Sequence, residues 1–399
     1  MEHNNDLKLK MSVEQKLLIC CARTYVNKEI KAEILSLVQE NINWKHLTQF
    51  AVRHRLTNLL YSHLNRICPE SIPENVLQNL RSIYQENSRN NLLLTGELFN
   101  ILEILKSANL NGIPYKGPSL AILAYKNLSL RQFSDLDVFI SKSDVLKVKD
   151  LLSSNGYHLY HDLDYIKGSF YLETQREYAF INEKTGAIIE IHWNFHGASM
   201  SLRDEENCLY DNLKTMNLNG HDILSLKTEN LILILCIHCS NHDWDSLSWI
   251  CDISELIGSN ENIDWQYLLK TAEKLGIRRI LLVNLLLIEN LWKINIPEQI
   301  MNYIISDQSI HDLSKIIGNR LFLEDENGFT FFKKAVFDFK KRESAICGIK
   351  DVIYMMLVPT YIDFVDIRLP SSLYPLYYII RPLLLFRRLG FKPINSNTK

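Results

Sequence analysis

Residues Leu130–Ile140 read LRQFSDLDVFI: two aspartates separated by one leucine, running straight into valine, phenylalanine and isoleucine. Side chains two apart on a strand share a face. Asp135 and Asp137 therefore fall on one side, with Leu136, Val138 and Ile140 on the other. Two carboxylates in a partly buried place repel unless a cation or a proton relieves them. On its own the pattern has two readings, a divalent-metal site or a strand that ends at an Asp-rich turn.

Working outward, YKGPSLAILAY (115–125) places a glycine where a short strand, IPYKG, passes into a helix opened by proline in its first turn. KSDVLKVKDLLSSNGY is an amphipathic helix expected to end near Gly156, and Gly112 suits the stop of the helix before it. EYAFINE and AIIEIHWNF, joined by KTG, form a hairpin. In the second of these, Ile189, Ile191 and Trp193 share one face and Glu190, His192 and Asn194 the other. Burying Glu190 without a partner costs several kcal/mol, so it needs one. If this strand neighbours the Asp135–Asp137 strand, three carboxylates converge, an oxygen-rich set suited to magnesium. At the start of the earlier helix, backbone amides at Gly117, with Lys116 and Ser119, suit a phosphate.

Helical periodicity dominates on both sides of this unit, so the fold class is α+β: a small α/β core with a mixed or antiparallel sheet, flanked by helical regions. The expected divisions are a helical region over 1–95, the core over 96–200, a helical domain over 201–300 and a mostly helical region over 301–399. RRILLVNLLLIENLW is too short for a membrane span and reads as a core helix. PLYYIIRPLLLFRRLGFK, with Pro382 in its middle and Arg381 interrupting its apolar run, reads as a kinked pair of helices packed on the domain. Its basic and aromatic content makes a peripheral membrane contact the alternative.

The 399 residues are 47% hydrophobic and 23% charged with a net charge of -2, so no basic footprint marks a long nucleic acid as partner. Eight scattered cysteines and an N-terminus, MEHNNDLKLK, without an apolar segment behind it lead to an expectation of reduced thiols in the cytoplasm. CIHCSNH (236–242) spreads its thiols and imidazoles over more than one helical face and lacks the separated second pair of a structural zinc site.

The order of glycine turn, helix, Asp-x-Asp strand and later acidic strand resembles the polymerase-beta-like nucleotidyltransferase superfamily. More closely, the chain is similar to the family of uncharacterised nucleotidyltransferases, in HRLTNLLY (54–61), GIPYKGPSL (112–120), RQFSDLDVFI (131–140), IEIHW (189–193) and HCSNHDWDSLSWICDI (238–253). The resemblance implies a nucleoside triphosphate such as ATP as substrate, two Mg2+ ions, and Asp135, Asp137 and Glu190 as metal ligands and catalytic residues. It implies transfer of a nucleoside monophosphate to a hydroxyl or phosphate of a small molecule, with release of pyrophosphate. Glu190 serves in this reading as a ligand or as the general base. Lys116, Gly117, Ser119 and Arg131 would attend the phosphates, Arg131 having a surface salt bridge as its other role. His192 would orient Glu190 or line the acceptor pocket. His238, His242 and Asp252, with Trp249, form either a buried network between helices or an acceptor-side wall. The chain departs from the superfamily in placing Pro118 after Gly117, which removes one amide donor. A protein or RNA acceptor, and a non-catalytic scaffold that keeps the fold, are the competing functions.

Overall fold

The structure, a computed structural model, describes residues 11–195, 209–210, 212–323 and 331–389. The opening decapeptide, the HGASM turn, Cys208 and the residues from Gly390 onward lie outside them.

Four helices come first: α1 (Val13–Cys21), α2 (Lys28–Leu37), α3 (Trp44–Arg53) and α4 (Thr57–Ile67). Ser12 and Gln15 close a capping box on α1, and Asn27 and Asn43 cap α2 and α3. These side chains satisfy amides that a helix start leaves open. α5 (Glu74–Ser107) then runs for 34 residues. Leu94, Leu98, Ile101 and Leu105 recur along one stripe of it and are buried. Gly112 is not its stop: the helix ends at Ser107, and Asn109 takes the left-handed conformation at φ 55°. Asparagine tolerates that region, so the chain turns three residues earlier than the glycine suggests.

The α/β core follows: β1 (Ile113–Pro114), α6 (Gly117–Tyr125), β2 (Asp135–Phe139), α7 (Val145–Ser154), β3 (Tyr157–Leu159), α8 (Gly168–Thr174), β4 (Glu177–Asn182) and β5 (Ile188–His192). The sheet order is β1-β2-β5-β4-β3. β2 and β5 are parallel, and every other pair is antiparallel, so the sheet is mixed. The expected β4–β5 hairpin is present, with Ile181 opposite Ile188 next to its turn.

A second hairpin, β6 (Lys214–Leu218) and β7 (His221–Ser225), stands apart from the sheet. Its turn is Asn219–Gly220, both at positive φ. That pairing twists the strands in the sense a two-residue hairpin needs.

Among the described residues ten α-helices follow: α9 (Thr228–Asn241), α10 (Leu247–Gly258), α11 (Trp265–Lys274), α12 (Arg278–Trp292), α13 (Glu298–Ser306), α14 (Gln308–Phe322), α15 (Phe331–Lys340), α16 (Ala345–Leu357), α17 (Tyr361–Asp366) and α18 (Tyr377–Leu389). Two hydrophobic cores result. One joins α1–α4 to α9–α14 and takes in Tyr115, Phe139 and Phe195. The other lies between the sheet, α5 and α7, and is closed by Phe364, Tyr374 and Tyr377 from the C-terminal helices. The first and third sequence regions thus share one core. β2 divides its faces accordingly: Leu136, Val138 and Ile140 enter the second core, while Phe139 enters the first. The two aspartates stand on the face directed to the seam.

Candidate active site

Parallel pairing of β2 with β5 sets Asp137 beside Glu190 and Phe139 beside His192. Strand alternation keeps all three polar side chains on the seam face, because their neighbours Leu136, Val138, Ile189 and Ile191 are committed to the apolar core. One ligand atom from each of Asp137, Glu190 and His192 lies within 4.8 Å of the other two. That spacing and donor chemistry fit one divalent cation. Asp135, on the same face two residues earlier, is outside this group of donor atoms, although its charge acts on Lys116. The group thus joins two of the three expected carboxylates, Asp137 and Glu190, with the imidazole of His192.

Charge is balanced within the cluster. Lys116 Nζ donates to Asp137 Oδ1 at 2.7 Å, and the Tyr115 hydroxyl donates to the same oxygen at 3.4 Å. His192 Nε2 lies 3.1 Å from Asp137 Oδ1 and 3.3 Å from Glu190 Oε2, while its Nδ1 lies 3.3 Å from Glu177 Oε2. The Asp137 side chain is 3% exposed and that of Glu190 16%. Burial raises the pKa of Asp137, but Lys116 and His192 outweigh it and hold the carboxyl well below the usual carboxylate range. Burial alone would lower the pKa of His192; hydrogen bonds to Asp137 and Glu190 reverse this and raise it from 6.5 to about 9.

The raised pKa has a consequence for stability. A group whose pKa rises on folding stabilises the fold fully below its unfolded value and loses that contribution as pH climbs through the folded value. In metal-free protein, the melting temperature is accordingly expected to fall between pH 6.5 and about 9 by a component that His192→Gln removes. Calorimetric scans of both proteins across that window, in the presence of a chelator, check this; an unchanged slope in the variant would exclude His192 as its source.

The loop into α6 supplies the neighbouring polar edge. Gly117 sits at φ 53°, a conformation strained for any residue with a Cβ, whereas a Cβ placed there would meet the Asp135 carbonyl oxygen only at an ordinary contact distance of 3.5 Å. Lys116 occupies the N-cap position, and no side chain caps the helix. Pro118 contributes no N–H, so the donors of the first turn come from Gly117 and Ser119. Ser119 is fully buried, and its hydroxyl has no hydrogen-bond partner.

Arg131 is differently engaged from either role expected of it. Its Nε and Nη2 bind the two oxygens of Asp252 at 2.8 and 2.9 Å, forming a buried bidentate pair rather than a surface salt bridge. The Tyr125 hydroxyl donates to Asp252 Oδ1 at 2.7 Å. Asp252, on α10, thus ties the helical region to both ends of the segment that leads from α6 into β2. His238, His242 and Trp249 pack their rings together, with centroids 4.6 to 5.1 Å apart. Burial lowers the pKa of His238 well below its ordinary value, and the charges of Lys116, Arg176 and Arg131 add to this. The ring trio therefore borders the charged cluster, and Asp252 belongs to a separate buried network.

Three residues of the cluster escaped the sequence reading. Tyr115 and Glu177 contact Asp137 and His192 directly, and Arg176 Nε binds Glu177 Oε2 at 3.1 Å. The signal for Glu177 was available in the hairpin: counting back from KTG pairs Glu177 with His192.

A mixed sheet with adjoining acidic strands, opening beside a glycine-started helix, defines a nucleotidyltransferase-type core. The model of the family described as "Uncharacterised nucleotidyltransferase" matches residues 40–293. The chain belongs to that family and is a transferase enzyme of the nucleotidyl class. No curated protein gives a significant match to it.

Proposed function

We propose that the protein transfers a nucleoside monophosphate from a nucleoside triphosphate to a hydroxyl or phosphate group of a small-molecule acceptor, releasing pyrophosphate, with Mg2+ as the physiological ion. The observation that carries this reading is the convergence of Asp137, Glu190 and His192 beside the uncapped N-terminus of α6. Asp137 and Glu190 would hold the ion with His192, and Asp135 would complete the oxygen donors or hold a second ion. When bound, a divalent cation supplies Lewis-acid stabilisation of the charge that develops on the phosphoryl oxygens.

The chain's own groups have separable tasks. Lys116 and the amides of Gly117 and Ser119 would bind the triphosphate, drawing on the helix dipole and on one buried cation. Glu190, the more exposed of the two paired carboxylates, would either remain an ion ligand or accept the acceptor's proton in its place. Glu177 would keep His192 oriented through Nδ1. A small acceptor accords with the near-neutral net charge of the chain. Asp252 and Arg131 would act on the site only by positioning α6 and β2.

Isothermal titration with ATP, GTP, CTP and UTP in the presence of Mg2+ tests the first half. At least one nucleotide is expected to bind in a metal-dependent way, with affinity weakened ~tenfold or more in Lys116→Met, the loss of one buried charge-assisted contact. Absence of binding by all four would remove the proposal. Mass spectrometry of a metabolite extract incubated with the enzyme, Mg2+ and the bound nucleotide then identifies the acceptor by its added monophosphate.

A further inference from the structure

The C-terminal helices pack by one face only. Tyr354, Asp363, Phe364, Tyr374, Tyr377, Arg381 and Leu384 are buried. Outward, α16 presents Ile346, Ile349, Ile353, Met356 and Leu357, and α18 presents Tyr378, Ile379, Leu383 and Phe386, all exposed. The spacing is helical, so each set forms a single stripe, and α16 packs beside α18. Exposure reaches 66% at Ile346, 69% at Leu383 and 78% at Phe386. Contiguous apolar surface of this kind marks an interaction site.

Charge indicates what covers it. The exposed ionic side chains on α16 and α18 are Lys350 and Arg387, both cationic. The one acid of these two helices, Asp351, is turned inward onto Arg342 at 2.6 Å. A second copy meeting this face about a twofold axis would set cations against cations with no exposed acid on either helix to answer them. An apolar stripe edged by lysine and arginine instead matches a bilayer with anionic headgroups.

We infer that α16 and α18 lay this face on an anionic membrane surface, as a docking site that lies outside the stretch matched by the family and is independent of the proposed reaction. The stretch Ala345–Asp366 is apolar enough to cross a membrane by length and composition. It lies on the surface instead: the helix breaks after Leu357, and α16, at 13 residues, spans about 20 Å against the roughly 30 Å of a hydrocarbon core. Asp363 within it is fully buried against Arg381 at 2.8 Å, which fixes its inner side to the protein. The layer is also tied to the site. Gln175 Nε2 donates to the Pro359 carbonyl at 2.9 Å, and Gln175 Oε1 accepts from the Tyr361 amide at 3.1 Å. Gln175 immediately precedes Arg176 and Glu177, so a docked protein would hold its active site at a set height above the lipid.

Flotation of the full chain with phosphatidylcholine vesicles, with and without phosphatidylglycerol, tests this. Binding is expected to vesicles containing phosphatidylglycerol and to weaken as salt rises. Lys350→Glu with Arg387→Glu is expected to lower partitioning ~tenfold or more, given about 1 kcal/mol per basic residue near the surface. Ile353→Glu with Leu383→Glu, both at exposed positions, is expected to lower it at least as far. Failure to float with either vesicle would overturn the inference, as would equal binding by the Ile353→Glu, Leu383→Glu protein. Light scattering that finds a dimer broken by that pair would overturn it too, giving the face to a second copy.

Discussion

Asp137→Asn is expected to lower nucleotidyl transfer by at least ~10³-fold, about 4 kcal/mol of transition-state stabilisation, while the protein remains folded at 25 °C. The carboxylate touches Lys116, His192 and Tyr115 and belongs to the candidate ligand set. Asparagine preserves its shape but removes the charge that both cations answer. Losing the anion from a buried pair strands its partners, so a stability loss of about 3 kcal/mol accompanies the loss of activity. The two effects separate in a double variant. Lys116→Met with Asp137→Asn removes the stranded ammonium along with the carboxylate, and should regain part of the stability while staying inactive. Transfer from α-labelled nucleotide and urea unfolding measure the two quantities. Activity of Asp137→Asn within tenfold of the parent would remove Asp137 from the chemistry.

What was readable before the fold was known followed from alternation. SDLDVFI and AIIEIHWNF each set their carboxylates on the face opposite Leu136, Val138, Ile189 and Ile191, as alternation requires, with Phe139 the apolar residue that shares the aspartate face. Strand adjacency was a different matter. Nothing local to either segment says that β2 and β5 are parallel neighbours in the register that aligns Asp137 with Glu190. The order of motifs suggested it only through a family likeness. A carboxylate pattern alone leaves His192 in a supporting part, yet it shares the face of Glu190 and lies within ligand reach of it. The Asn219–Gly220 hairpin carried a strong local signal, obscured by the helical periodicity that follows it. Arg131 and Asp252 carried none: they are 121 residues apart and meet only because α10 packs on α6.

That pair sets the second large expectation. Asp252→Ala should destabilise the protein by about 3–5 kcal/mol, the cost of leaving a buried guanidinium uncompensated. The Arg131 side chain is 10% exposed, and its third nitrogen, Nη1, has no hydrogen-bond partner among the described residues, so the guanidinium has little solvent to turn to. The Tyr125 hydroxyl would lose its acceptor in the same step. Arg131→Met with Asp252→Leu replaces both charges by apolar volume and is expected to recover most of the loss, because a matched apolar pair is often as stable as a buried ion pair. Activity should then distinguish support from chemistry. Asp252 touches α6 through Tyr125 and the approach to β2 through Arg131, so the stabilised double variant should retain transfer with a raised KM for nucleotide, as a slightly misplaced phosphate loop would produce. A double variant as unstable as Asp252→Ala would show that the single-variant loss comes from packing around α10 rather than from the stranded charge. A stable double variant with kcat reduced as far as in Asp137→Asn would instead place Arg131 or Asp252 among the groups that meet the reacting phosphate.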